Sequence, residues 1–340
     1  MNFFDNITPI QKEALYNEFK GHLFEFHICS ELALKYSLYD IFLTSLTSVQ
    51  VEHLKEYEKF LLKNSPMILK KLPLLAKKLV NAIHLELKEK NLSVKGVYWT
   101  GKHGAKSLNA DWKETDLAID VFDSNDQSFR IYYSLKLSKA NSFTNTKSAG
   151  VMSFFEKYFY QFSWAKTYQS DLNSFIESSF YLMKARMEDL TGIEETTQGF
   201  SKQFVMQYGE LPGGLPDELR TVLYEHYSRV MDQIEIGLHR MYEENKEYFF
   251  DSLLSLMGFS SNGVIQYQLF HENHEFHSIK RLESPKDTSS VEFKIRKKGQ
   301  HFLEILIESY ILQVRIKPMN KFTTPAYKVN CSIKKRDDNE

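Results

Sequence analysis

The stretch from Glu114 to Leu137 constrains this chain more tightly than any other. Glu114–Val121 and Phe129–Leu137 each alternate polar and apolar residues with a period of two. Between them lies Asp123-Ser124-Asn125-Asp126, a run of turn formers. Such alternation is what a half-buried strand requires, so the pair predicts a β-hairpin. In the first strand Glu114, Asp116, Ala118 and Asp120 share a face, and Thr115, Leu117, Ile119 and Val121 share the other. In the second, Phe129, Ile131, Tyr133, Leu135 and Leu137 oppose Arg130, Tyr132, Ser134, Lys136 and Ser138. Pairing the two apolar faces brings Asp116 and Asp120 to the same side as Ser134 and Lys136.

The segments around the hairpin set the fold class. Residues 8–90 read as helices. Thr8-Pro9 with Gln11 suits a helix start, Val51–Lys63 forms a second helix, and Pro66–Lys90 a third in which Pro73 predicts a kink or break. Val94–Trp99 reads as a strand and Gly101–Gly104 as a loop. Val151–Leu190 reads as an aromatic-rich helix, 191–215 as turn-rich, and Asp217–Leu256 as one long amphipathic helix. Strands follow at Val264–Phe270, Val291–Lys297, Phe302–Ile307, Ile311–Lys317 and Tyr327–Lys334. The expectation is an α/β (α+β) protein with a mixed central sheet flanked by helices. Residues 1–256 would hold the helical part and the sheet-bearing core. Residues 257–340 would form a basic β region, separate or joined to the same sheet.

Composition narrows the function classes. The chain of 340 residues is 42% hydrophobic and 26% charged, which is ordinary globular usage. Its formal net charge of -1 means that any attraction for nucleic acid must come from local clusters. Cys29 and Cys331 are too few for a disulfide framework or a zinc-finger array. Met1–Glu18 carries acids and no apolar run of signal length, and no segment approaches the ~20 apolar residues that span a bilayer. A cytoplasmic protein without a membrane partner is the expectation.

Carboxylates and a lysine converging on one sheet face suit phosphodiester hydrolysis. An anionic phosphodiester repels hydroxide, so rapid cleavage needs a cation at the phosphate and a positioned water. Mg²⁺ is typically held by one or two carboxylates plus the substrate phosphate. A nearby ammonium can orient the water, help deprotonate it, or offset developing charge.

Thr115-Asp116 and Ser134-Leu135-Lys136 resemble the two half-motifs of the PD-(D/E)XK, or restriction-endonuclease-like, nucleases. Gly21-His22-Leu23-Phe24-Glu25 resembles the helix phrase that many members carry ahead of the sheet. The resemblance covers three short phrases, in the right order, within residues 21–138. It implies a divalent-metal-dependent endonuclease acting on DNA more readily than RNA, with Mg²⁺ or Mn²⁺ as cofactor and a homodimer permitted. It makes Asp116 and Glu25 metal ligands and Lys136 the catalytic lysine. Ser134 stands where the family usually has Glu or Asp. Glu25, Asp120 or Glu114 would then supply the missing charge, or the scaffold binds nucleic acid without cutting it.

Other features bear on substrate. The polar stretch Lys139–Gly150, with Lys147, reads as a loop leading into a helix N-terminus that could contact phosphate. From Ser309 to Arg336 there is no acid, while Arg315, Lys317, Lys321, Lys328, Lys334, Lys335 and Arg336 are present. Arg315 with Lys317, and Lys328 with Lys334, would line strand faces and neutralise phosphates. His271, His274 and His277 recur every third residue, a spacing that suits zinc only on a common helical face, and the flanking pattern is not helical. Alternating acids and a lysine on a hairpin also describe a solvated face with cross-strand ion pairs. A helical interaction protein with an incidental hairpin is the third reading, and it expects no nucleic-acid binding.

Overall fold

A computed structural model describes residues 9–100, 115–140, 142–193, 199–259, 263–285, 293–307, 309–317 and 321–336. The chain divides into two compact units, each assembled from two stretches: 1–142 with 259–284, and 143–258 with 285–340. This differs from a division at 256/257, because the strands beyond residue 257 are shared between the units. The protein is α+β, with a mixed sheet flanked by helices as expected. No helix among the described residues is long and apolar enough to cross a membrane.

Unit 1 opens with α1 (Pro9–Lys35), α2 (Tyr39–Ser45), α3 (Ser48–Asn64) and α4 (Pro66–Glu89). Thr8, the expected helix cap, and the Gly101–Gly104 loop lie outside the described residues. A capping box does start α3. Gln50 N–H donates to Thr47 Oγ1 at 3.2 Å, and Thr47 N–H donates to Gln50 Oε1 at 2.8 Å. Pro73 does not interrupt α4. Ile68, Leu72, Leu75, Ala76 and Leu79 continue one buried stripe on both sides of the proline, and burying that stripe offsets the lost backbone hydrogen bond.

The sheet of unit 1 has the order β1-β2-β3-β5-β6, with β1 at Ser93–Trp99, β2 at Leu117–Phe122, β3 at Ser128–Lys139, β5 at Ile265–Glu272 and β6 at Glu275–Leu282. β2 and β3 form the expected antiparallel hairpin, Leu117 facing Tyr133 and Asp120 facing Arg130. β5 runs parallel to β3, with Gln266 beside Ser134 and Gln268 beside Lys136. Leu117, Ile119, Val121, Tyr133 and Leu135 join one core with Leu23, Ile28, Leu32 and the α4 stripe. α1 and its Glu25 are thereby fixed against the hairpin.

In unit 2 the segment expected to be a polar loop is a strand, β4 (Thr144–Gly150), in the order β4-β10-β9-β8-β7. Its partners are β7 (Phe293–Gly299), β8 (Phe302–Ile307), β9 (Tyr310–Ile316) and β10 (Lys328–Lys335). The start of the strand expected from Val291 lies outside the described residues. β4 lacks large apolar residues and owes its conformation to pairing with β10, Ala149 opposite Val329. The helices are α5 (Phe154–Tyr158), α6 (Ala165–Thr191), α7 (Lys202–Tyr208), α8 (Asp217–Glu244) and α9 (Lys246–Met257). The long helix expected over 217–256 is divided at Asn245, whose side chain accepts from Tyr248 N–H at 3.0 Å and caps α9. Phe154, Phe155, Phe159, Phe249 and Phe250 pack this unit with rings.

Candidate active site

Asp116 lies immediately before β2, and its backbone is held from both sides. Its N–H donates to Tyr133 C=O at 2.9 Å, and its C=O accepts from Thr100 N–H at 3.2 Å. Its side chain accepts three hydrogen bonds, all at Oδ2: from Leu135 N–H at 2.7 Å, Lys136 Nζ at 3.0 Å and Ser134 Oγ at 3.2 Å. Oδ1 has no hydrogen bond among the described residues. One oxygen therefore anchors the carboxylate while the other offers its lone pairs.

Ser134, 4% exposed, is a donor to Asp116. A carboxylate at this position would face the Asp116 carboxylate across the same short gap and repel it. The hydroxyl instead donates to Asp116 Oδ2 and helps fix the rotamer of that carboxylate.

Glu25 projects from α1 and accepts from His22 Nδ1 at Oε2, 3.4 Å away. Burial pushes the Glu25 carboxyl above its ordinary value and the negative charge of Asp116 pushes it further. The hydrogen bond and charge of His22, with the charge of Lys136, pull it back only in part. Burial works to lower the Lys136 ammonium, but Asp116 and Glu25 outweigh it and hold the group above its usual value. Lys136 is thus a fixed cation that can orient water and offset charge, and it is a poor base. His22 behaves alike: burial would lower its imidazole, and Glu25, Glu18 and Asp116 raise it. Side-chain exposures of 13% for Glu25, 15% for Asp116 and 29% for Lys136 leave the cluster within reach of solvent.

Two carboxylates that repel each other in a shielded place, one of them paired with the Lys136 ammonium, form an electrostatic environment that a divalent cation can relieve. Among the described residues no group of three or more His, Cys, Asp and Glu side chains is arranged to hold a metal. The donors fit a cation whose remaining positions are filled by water and substrate oxygens, as Mg²⁺ prefers, and do not form a closed protein cage.

Asp120 does not belong to this cluster. Arg130 faces it across the hairpin, donating from Nε at 2.5 Å and from Nη2 at 2.8 Å, and this bidentate pair holds the Asp120 carboxyl below its usual range. Shared face parity put Asp116 and Asp120 together, yet four residues of strand separate them by about 13 Å. Glu114 lies outside the described residues. Lys139 ends β3 in unit 1. The remaining basic residues lie in unit 2: Lys147 on β4, Arg315 on β9, Lys317 just past β9 and Lys328 at the start of β10. Arg315 approaches Asn145 Oδ1 at 3.4 Å.

His22 and Gln268 are the residues that sequence reasoning missed. The spacing of three between His22 and Glu25 on a helix is the signal for the first. Gln268 is buried beside Lys136 with Nε2 unpartnered among the described residues, and only the parallel pairing of β5 with β3 reveals it. No model of a known protein family matches the chain, and no curated protein matches it in sequence.

Proposed function

We propose that this protein hydrolyses nucleic-acid phosphodiester bonds with a divalent cation, DNA being the favoured substrate, at the centre formed by Asp116, Glu25 and Lys136. The observation that carries this reading is the geometry at Asp116, within electrostatic reach of the partly shielded Glu25 carboxylate. Its Oδ2 is held by Leu135 N–H, Ser134 Oγ and Lys136 Nζ, while Oδ1 accepts no hydrogen bond among the described residues. A bound Mg²⁺ or Mn²⁺ would neutralise the scissile phosphate and make water more acidic. Asp116 and Glu25 would hold it. The Leu135 amide and the Ser134 hydroxyl keep Asp116 aimed. Lys136 Nζ keeps its proton, orients the attacking water through a hydrogen bond and offsets charge as the phosphate becomes more anionic. His22 holds a proton toward Glu25 Oε2 and limits the motion of that side chain.

A DNA cleavage assay with and without Mg²⁺ tests the reading. The expected result is metal-dependent cleavage that falls by about 100-fold or more in both Asp116→Asn and Lys136→Ala. A second reading, binding without cutting, is favoured by the absence of an acid at Ser134. It predicts salt-dependent DNA binding, no cleavage by the unaltered chain, and no effect of Lys136→Ala on binding.

A further inference from the structure

Unit 1 carries a second charged cluster, three residues beyond Lys136 on β3, with the opposite imbalance. Lys20 of α1 is 8% exposed, and among the described residues it has neither a hydrogen bond nor an ion pair. Its ammonium meets only the Tyr16 ring, 5.4 Å from the centroid. Ammonium groups so placed are normally paired. His271, at the end of β5, is 2% exposed, and neither ring nitrogen has a hydrogen-bond partner. A neutral imidazole has one N–H donor and one acceptor, so both are left unsatisfied there.

His274 lies against His271, ring centroids 5.6 Å apart, and its Nδ1 is likewise buried without a partner. The β5–β6 turn puts it there: Asn273 and His274 have φ of 48° and 68°, the pattern of a two-residue hairpin turn of type I′. Lys139 is the register partner of His271, and Ala140 N–H donates to His271 C=O at 2.9 Å. The groups depress one another's protonation. Burial and then Lys139 lower Lys20, while burial followed by Lys20, His274 and Lys139 brings His271 to about 4. Burial, Lys20 and Lys139 also lower His274, opposed only by Glu275, whose carboxylate Lys71 engages at 2.5 Å.

We propose that Lys20, Lys139, His271 and His274 form a pocket for a phosphate group of the nucleic-acid strand. The buried, unpartnered ring nitrogens of His271 and His274, together with two lysines without a matching acid, are what a phosphate dianion or diester would satisfy. The assignment of that phosphate to a strand rests on the hydrolytic reading of Asp116, Glu25 and Lys136. Lys136 and Lys139 are about 10 Å apart along β3 and, three residues apart, project from opposite faces of the strand, so the pocket would hold a phosphate of the strand other than the scissile one.

The test uses the full chain and inorganic phosphate at constant ionic strength. Phosphate is expected to raise the melting temperature saturably and to shift the imidazole resonances of His271 and His274. Lys20→Met and Lys139→Met should each weaken phosphate binding by about tenfold or more. Lys20→Met should also melt above the unaltered chain in phosphate-free buffer, because it removes an unpaired ammonium; a lysine kept for structure alone would lower it. A 5′-phosphorylated oligonucleotide that binds about tenfold tighter than its 5′-hydroxyl counterpart identifies a terminal phosphate. Equal affinities, both reduced in Lys20→Met, identify an internal one. Absence of any phosphate effect on the unaltered chain, or an equal effect in both variants, overturns the pocket. Mn²⁺ titrations run alongside separate the two proposals. Mn²⁺ binding without phosphate binding overturns the pocket alone, and phosphate binding without Mn²⁺ binding overturns the metal centre alone.

Discussion

Two glutamates of unit 1 sit in similarly shielded places and are treated in opposite ways. Glu86, on α4, receives Arg281 at 2.8 and 3.1 Å, Lys90 at 2.6 Å and the Tyr267 hydroxyl at 2.5 Å. Burial alone would raise its carboxyl, and these donors bring it below its usual value. Glu25 has a long hydrogen bond from His22 and a neighbouring carboxylate, and it stays above its usual value. A carboxylate surrounded by enough positive charge ties helix to sheet. One left short of it destabilises the fold it belongs to, and such costs cluster at functional sites.

The contrast can be broken at either end. The largest effect on stability is expected from Glu86→Gln, which removes the charge that Arg281, Lys90 and Tyr267 converge on and leaves Arg281, among the described residues, only its pair with Glu283. It should cost about 2 kcal/mol in denaturant unfolding, without altering metal affinity. Glu25→Gln should act the other way, gaining on the order of 1 kcal/mol in metal-free buffer while losing stabilisation by Mn²⁺. The pH dependences should also oppose each other. Glu86, with a folded pKa below its unfolded one, contributes stability above the unfolded value near 4.3, and that contribution is lost as pH falls through the folded value. Glu25, shifted upward, imposes a penalty that grows as pH rises from the unfolded value through the higher folded one. Mn²⁺ affinity, measured by calorimetry, should strengthen over that same interval, and a flat profile would argue against Glu25 as a ligand. The smallest effect belongs to Asp120→Asn. Its partly exposed pair with Arg130 should be worth ~0.5 kcal/mol, and cleavage should be unchanged.

Legibility followed how local each determinant is. The hairpin and its faces could be read because a period of two needs only neighbouring residues, and the register agrees with that reading. The position of Asp120 could not, because parity tells the face and not the distance, and the cross-strand partner Arg130 decides what the carboxylate does. β6 escaped notice because Glu275–Leu282 is an edge strand with little burial and no alternation. β4 has the composition of a loop, because its strand character is imposed by β10. At Pro73 and Asn245 the apolar period continues through both positions; packing kept one helix whole and a cap divided the other. Glu25 was found through the phrase around it, and nothing in the sequence announced that Lys20 and His271 would be neighbours.

The parallel pairing of β3 with β5 has a consequence for synthesis. Lys136 leaves the ribosome long before its register partner Gln268, on the order of ten seconds at ordinary elongation rates. Until then β3 is an unsatisfied edge, and the neighbourhood of Asp116 and Lys136 lacks one wall. A nascent chain, or one ended prematurely before Ile265, would present that open strand to chaperones or to other nascent chains.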